Sequence, residues 1–213
     1  MRTTRFAGWI AAGWLLVAGA GAASAQDSAQ AAAAAPDSAC ELHFWPTEEA
    51  MTGNNPFINS ALQPGTTTRD VLLEALPPQA QVAGLERLDL AGLLAMPGVR
   101  VILESQPIRT SVATRQRTRL TASTASCYAE LFVKRMGYRT DPFFGRDFGA
   151  VFIYRRFAPG GAAAQIVQGD GEVGLRIFPA RQESQREAAR EEMVAAFGTS
   201  FEKFARDKLN RAR

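Results

Sequence analysis

Cys127-Tyr128-Ala129-Glu130-Leu131-Phe132-Val133-Lys134-Arg135 alternates between apolar and mixed positions and reads as a strand. Successive side chains of a strand point to opposite faces. Cys127, Ala129, Leu131 and Val133 then share one apolar face, and Tyr128, Glu130, Phe132 and Lys134 share the other. Upstream, Cys40-Glu41-Leu42-His43-Phe44-Trp45 repeats the pattern, with Cys40, Leu42 and Phe44 on one face, until Pro46 stops it. Each cysteine holds the first core-facing position of its strand. If the two strands are neighbours and start at the same level, the thiols meet. An oxidising compartment would then join Cys40 to Cys127, the alternative being two buried free thiols. Closing so long a loop stabilises by roughly 4 to 5 kcal/mol on the chain-entropy model.

Other elements follow outward from this pair. Val99 to Glu104 reads as a second strand. Gly149 to Phe157 reads as a fourth, apolar on both faces and therefore central or covered. Glu172 to Phe178 reads as a fifth, with Gly169-Asp170-Gly171 before it as a hairpin turn. Asn55 and Pro56 start a short helix to about Leu62. Thr67 or Thr68 caps a second, Arg69 to Leu76, which Pro77-Pro78 ends. Leu85, Leu88, Leu93 and Leu94 suggest a third, ended at Pro97-Gly98. Residues 106–126, rich in Thr, Ser and Arg, take no assignment. Gln182 to about Leu209 is a long helix whose Met193, Phe197, Phe201 and Phe204 form one stripe, in phase across Gly198. This order predicts an α+β two-layer sandwich, a mixed sheet of about five strands with the long C-terminal helix and the short helices packed on it.

The amino terminus predicts an address. Arg2 and Arg5 precede an uncharged run, Phe6 to Ala20, and Ala23-Ser24-Ala25 fits an A-x-A cleavage site. Residues 1–25 therefore read as a signal peptide, 26–39 as a disordered linker, and 40–213 as a single α+β domain. An uncleaved inner-membrane anchor is the alternative. Cys40 lies too far from the apolar run to be a lipid-attachment cysteine. The implied location is the periplasm, with no transmembrane span after cleavage.

Composition excludes several classes. At 46% hydrophobic and 21% charged, the chain is neither disordered nor a polytopic membrane protein. Two cysteines and one histidine exclude a four-cysteine zinc site and most histidine-based chemistry. No cofactor is expected, because G-x-S-x-G, P-loop, H-E-x-x-H and dinucleotide motifs are missing. The net charge is +3, and removing Arg2 and Arg5 lowers it by two, too small a balance for nucleic acid. The distribution is uneven. Residues 41–99 hold seven acids and two bases, whereas residues 100–156 hold eleven bases and four acids. Such asymmetry orients a protein against an anionic surface, or else the two halves neutralise each other in the fold.

Two constellations could carry chemistry. Glu41 and His43 share a face with Glu130 if the cysteine strands pair. A histidine between carboxylates acts as a base or holds a metal, but no third ligand or nucleophile is evident, so a sheet-covering polar cluster is the preferred reading and no metal is assigned. Arg115, Arg117 and Arg119 project from one side if their segment is extended, making a stripe for phosphate or carboxylate. In a helix they spread around the cylinder and lose that meaning.

With Cys127-Tyr-Ala-Glu-Leu-Phe-Val and Gly174-Leu-Arg-Ile-Phe-Pro, the element order resembles small periplasmic α/β modules of Gram-negative envelope proteins. Examples are the amino-terminal domain of TolB and the curli-secretion lipoprotein family; the chain departs from the latter in lacking the lipid-attachment cysteine. The resemblance implies a non-catalytic accessory role in envelope assembly, with an envelope protein or an anionic surface component as partner. The expected function is therefore an exported, non-enzymatic interaction domain. A periplasmic module for an anionic or apolar ligand is the alternative. An unrecognised hydrolase near Glu41, His43 and Glu130 is the third reading.

Overall fold

The computed structural model describes residues 40–47, 50–52, 68–106, 108–141, 145–159 and 161–212. The signal and linker segments, and the short helix expected from Pro56 to Leu62, lie outside them. Among the described residues six strands form one mixed sheet: β1 (Glu41–Trp45), β2 (Ala50–Thr52), β3 (Arg100–Leu103), β4 (Tyr128–Asp141), β5 (Gly145–Phe157) and β6 (Ala163–Leu175). Their order is β3-β1-β4-β5-β6, and β2 extends the pairing along β4. β1 runs parallel to both β3 and β4, whereas β4, β5 and β6 are antiparallel.

The helices are α1 (Thr68–Ala75), α2 (Pro78–Glu86), α3 (Leu90–Leu94), α4 (Thr110–Arg115) and α5 (Arg186–Phe204). Helix α5 continues as a π-helical segment, Ala205–Leu209. The expected aromatic stripe is the centre of the core: Met193, Phe197, Phe201 and Phe204 are all fully buried. Phe152 of β5 meets Phe197, Phe201 and Phe204 at ring-centroid distances of 5.8, 5.4 and 5.3 Å. Leu72, Leu76, Leu85, Leu90 and Leu94 bring α1, α2 and α3 into the same core. This is the α+β architecture expected, with the long helix and the short helices against the sheet. Among the described residues no helix is long and apolar enough to cross a membrane.

The disulfide forms as the alternation requires. Glu41 pairs with Tyr128 across the parallel β1–β4 ladder, so the preceding cysteines stand level. Cys40 and Cys127 are bonded, with Cα atoms 4.6 Å apart.

Three elements differ from their expected form. Gly169-Asp170-Gly171 is not a turn but the middle of β6. A Cβ on Gly171 would lie 2.0 Å from the Ser200 carbonyl oxygen, and one on Gly169 would lie 3.0 Å from the Phe204 ring. The glycines are there because α5 rests on the strand backbone, which leaves no room for side chains. The leucine run 85–94 divides into α2 and α3, because Asp89 caps a new helix by accepting from the Gly92 N–H at 3.0 Å. β4 runs on to Asp141, and a bulge between Val133 and Arg135 shifts its alternation by one residue.

Candidate functional site

The face of the sheet opposite α5 carries the polar side chains. The register brings Glu41, His43 and Trp45 of β1 beside Tyr128, Glu130 and Phe132 of β4, and beside Arg155 and Ile153 of β5. The described part of the unassigned stretch, residues 108–126, is a strap across these residues. Ala113 of α4 is its apolar plug, buried with Trp45, Phe132 and Ile153, and Trp45 stacks on Phe132 at 4.6 Å.

Beneath the strap lies a buried ion pair. Arg155 Nη1 is 3.0 Å from Glu130 Oε2, and both side chains are wholly inaccessible. That contact is misaligned for a hydrogen bond, so the attraction is chiefly Coulombic. The well-formed bonds go to the strap. Arg155 Nη2 donates to the Gln116 and Thr118 carbonyls at 2.7 and 2.8 Å. Glu130 Oε1 accepts from the Leu120 N–H and the Tyr128 hydroxyl, both at 2.7 Å. Burial pushes the Glu130 carboxyl up and the Arg155 guanidinium down, while each charge and the Leu120 amide oppose that drift. Burial likewise raises the Tyr128 phenol.

Beside the pair, His43 sits between two carboxylates. Its Nδ1 is 2.5 Å from Glu104 and its Nε2 is 3.1 Å from Glu41. Glu41 also accepts from the Ser123 hydroxyl at 2.5 Å and from Arg100 at 2.6 Å. The Ser123 hydrogen bond, then Arg100 and His43, outweigh partial burial and hold the Glu41 carboxyl down at about 2. A hydrolytic triad places imidazole between hydroxyl and carboxylate. Here the carboxylate lies between hydroxyl and imidazole, so the His43 ring does not contact Ser123. Among the described residues no group of three or more His, Cys, Asp or Glu is placed to hold a metal ion.

Glu41, His43 and Glu130 therefore share one face and one polar cluster, as the pairing of β1 and β4 implied. The arginines of the proposed stripe take three different settings. Arg115 ends α4 and is exposed; Arg117 is exposed in the segment that follows. Arg119 turns inward, its guanidinium 4.4 Å over the Tyr128 ring and bonded to the Ser123 carbonyl at 2.8 Å. Sequence reasoning missed Glu104, Ser123 and Arg100. Alternation along β3 would have put Arg100, Ile102 and Glu104 on the His43 face had β3 been known to lie beside β1. For Ser123 the sequence held no signal.

Past the strap, a trough of about 670 Å³ opens on the sheet, rimmed by Arg135, Arg139, Asp147, Asp170 and Glu172 and floored at Gly149. Arg139 spans it to Asp147 at 3.6 Å and to Glu172 at 3.4 Å.

No protein-family model matches the chain, and no curated protein matches it. Among solved structures, the chain is similar to the hypothetical protein CT253 from Chlamydia trachomatis, with a TM-score of 0.34 at 9% identity, over 82% of this chain and 95% of that one. A likeness of that degree carries no argument about function.

Proposed function

We infer that this chain is an exported accessory domain of the Gram-negative periplasm that acts by binding rather than by catalysis. The observation that carries the compartment is the Cys40–Cys127 disulfide. Such bonds form and persist in oxidising compartments and are rare in the cytosol. The pattern of residues 1–25 agrees with that address. The binding role draws support from how the polar cluster is used. A general base needs an oxygen or nitrogen within reach of substrate. Glu130 is wholly inaccessible, and both ring nitrogens of His43 face carboxylates. These groups fasten the strap 108–126 to the sheet, which is a structural use of titratable residues.

Cell fractionation tests the reading. The chain is expected in the periplasmic extract, running faster on a non-reducing gel than after reduction. Retention in the cytosol with two titratable thiols would overturn it. Capture of an envelope component by the recovered protein would then identify the partner.

The trough supports a second reading, a module for a small anionic ligand. Arg135 and Lys208 line it, and a titration with small carboxylates or phosphates would test it.

A further inference from the structure

We propose that the outer surface of the strap, built from Arg109, Val112, Arg115 and Arg117, is a docking patch for an anionic phospholipid bilayer. The proposal rests on the exported reading, since only an exported chain meets a periplasmic leaflet.

The charge imbalance resolves onto one side of the molecule. Residues 105–126 contain four arginines and no acid, whereas residues 186–209 of the long helix balance five bases with five acids. The two segments cover opposite faces of the sheet. Some exposed arginines elsewhere sit on carboxylates: Arg87 on Glu191, Arg190 on Glu74 and Arg206 on Glu202. Among the described residues no carboxylate lies within ion-pair range of Arg109, Arg115 or Arg117. Three exposed arginines without an ion pair among the described residues therefore fall within one short segment that holds no acid.

Helix geometry gathers them. Arg109 caps α4, its carbonyl accepting from the Val112 N–H at 2.8 Å. Arg109, Val112 and Arg115 are spaced three apart, which aligns them along one side of the turn. Ala113, buried about 100° around the helix from Val112, fixes which side turns inward. Val112, between the two arginines, is 38% exposed, and it and Leu103 are the exposed large apolar residues among those described.

That combination selects a surface over a small anion. A site for a free phosphate needs donors converging on a cavity. Here the guanidinium groups are spread over a convex helix and the extended segment after it. An exposed valine adds nothing to a free anion. At a bilayer it enters the headgroup boundary while the flanking arginines meet lipid phosphates.

Vesicle co-sedimentation of the full chain tests the proposal, comparing phosphatidylcholine with phosphatidylcholine containing phosphatidylglycerol. Any contribution from residues 1–25 is shared by all variants, so the readout is the difference between variants. Each arginine near an anionic surface is worth about fivefold. R109Q/R115Q/R117Q should therefore lower partitioning onto anionic vesicles about 100-fold and leave neutral vesicles unaffected. High salt should do the same to the parent chain. V112S should lower it severalfold with the salt dependence retained. R181Q, an exposed arginine outside both the patch and the trough, should change nothing. All these side chains are exposed, and unchanged thermal unfolding will confirm that each variant folds. Equal binding to both vesicle types, or no loss in the triple variant, would overturn the proposal; so would a partner captured as an acidic protein with no vesicle binding. A chain that reaches the periplasm and ignores anionic vesicles sinks the patch alone. A chain held in the cytosol sinks the export reading.

Discussion

Replacing Gly171 with alanine tests the contact on which the core depends. A Cβ there would stand 2.0 Å from the carbonyl oxygen of Ser200, 2.8 Å from its carbonyl carbon and 3.0 Å from its Cα. All three are backbone atoms of α5, so no rotamer change relieves the clash. The helix has to lift until the closest contact reaches about 3.4 Å, an ordinary van der Waals separation. Phe197, Phe201 and Phe204 would lift with it from their packing on Phe152. Overpacking of a close-packed interior costs typically 1–3 kcal/mol. The Ser200 hydroxyl also donates to the Gly171 carbonyl at 2.7 Å, a buried bond worth about 1 kcal/mol. Against this, alanine restricts the unfolded chain and recovers up to about 1 kcal/mol. The expected net loss is roughly 1 to 4 kcal/mol. Urea unfolding under non-reducing conditions reads it directly. Gly174→Ala is the control: it lies on the same strand, and its Cβ would meet nothing closer than 3.9 Å, so its change should stay within about 0.5 kcal/mol. Equal midpoints for the two variants would refute the placement of α5 on β6.

Two further outcomes follow from the polar face. Glu130→Gln should cost about 3–5 kcal/mol by leaving Arg155 charged and buried without its partner, and the double replacement E130L/R155M should recover much of that loss; a single variant no worse than the double would refute the buried ion pair. Glu41 titrates at 4.5 when unfolded and at about 2 when folded, so its contribution is fully present above about pH 4.5 and fades as pH falls toward 2. It amounts to no more than about 3 kcal/mol, and to less in salt, because Arg100 is largely exposed. Glu41→Gln should flatten the stability profile across that acid window, and an unchanged slope would remove Glu41 from the cluster.

Period and punctuation were enough to assign β1, β4 and α5, because each buries one regular face and the burial imposes alternation or a helical stripe on the residues. The cysteine pairing was legible for the same reason: two strands that begin with the same pattern place their first core positions level. The glycines of β6 misled, since a glycine that opens a turn and a glycine that makes room for a helix are the same letter. The polar cluster was half legible. Glu41, His43 and Glu130 follow from one pairing, but Glu104 and Ser123 are 61 and 82 residues from their partners.

The chain's own sequence determined its core-facing residues, its disulfide and its closing helix, since each depends on local order or on a repeated pattern. Tertiary structure alone decided where the strap lies, which arginines stay outside and which turn in. Residues 106–126 have no apolar period, so their course is set by Glu130 and Arg155 taking hold of backbone groups at Gln116, Thr118 and Leu120.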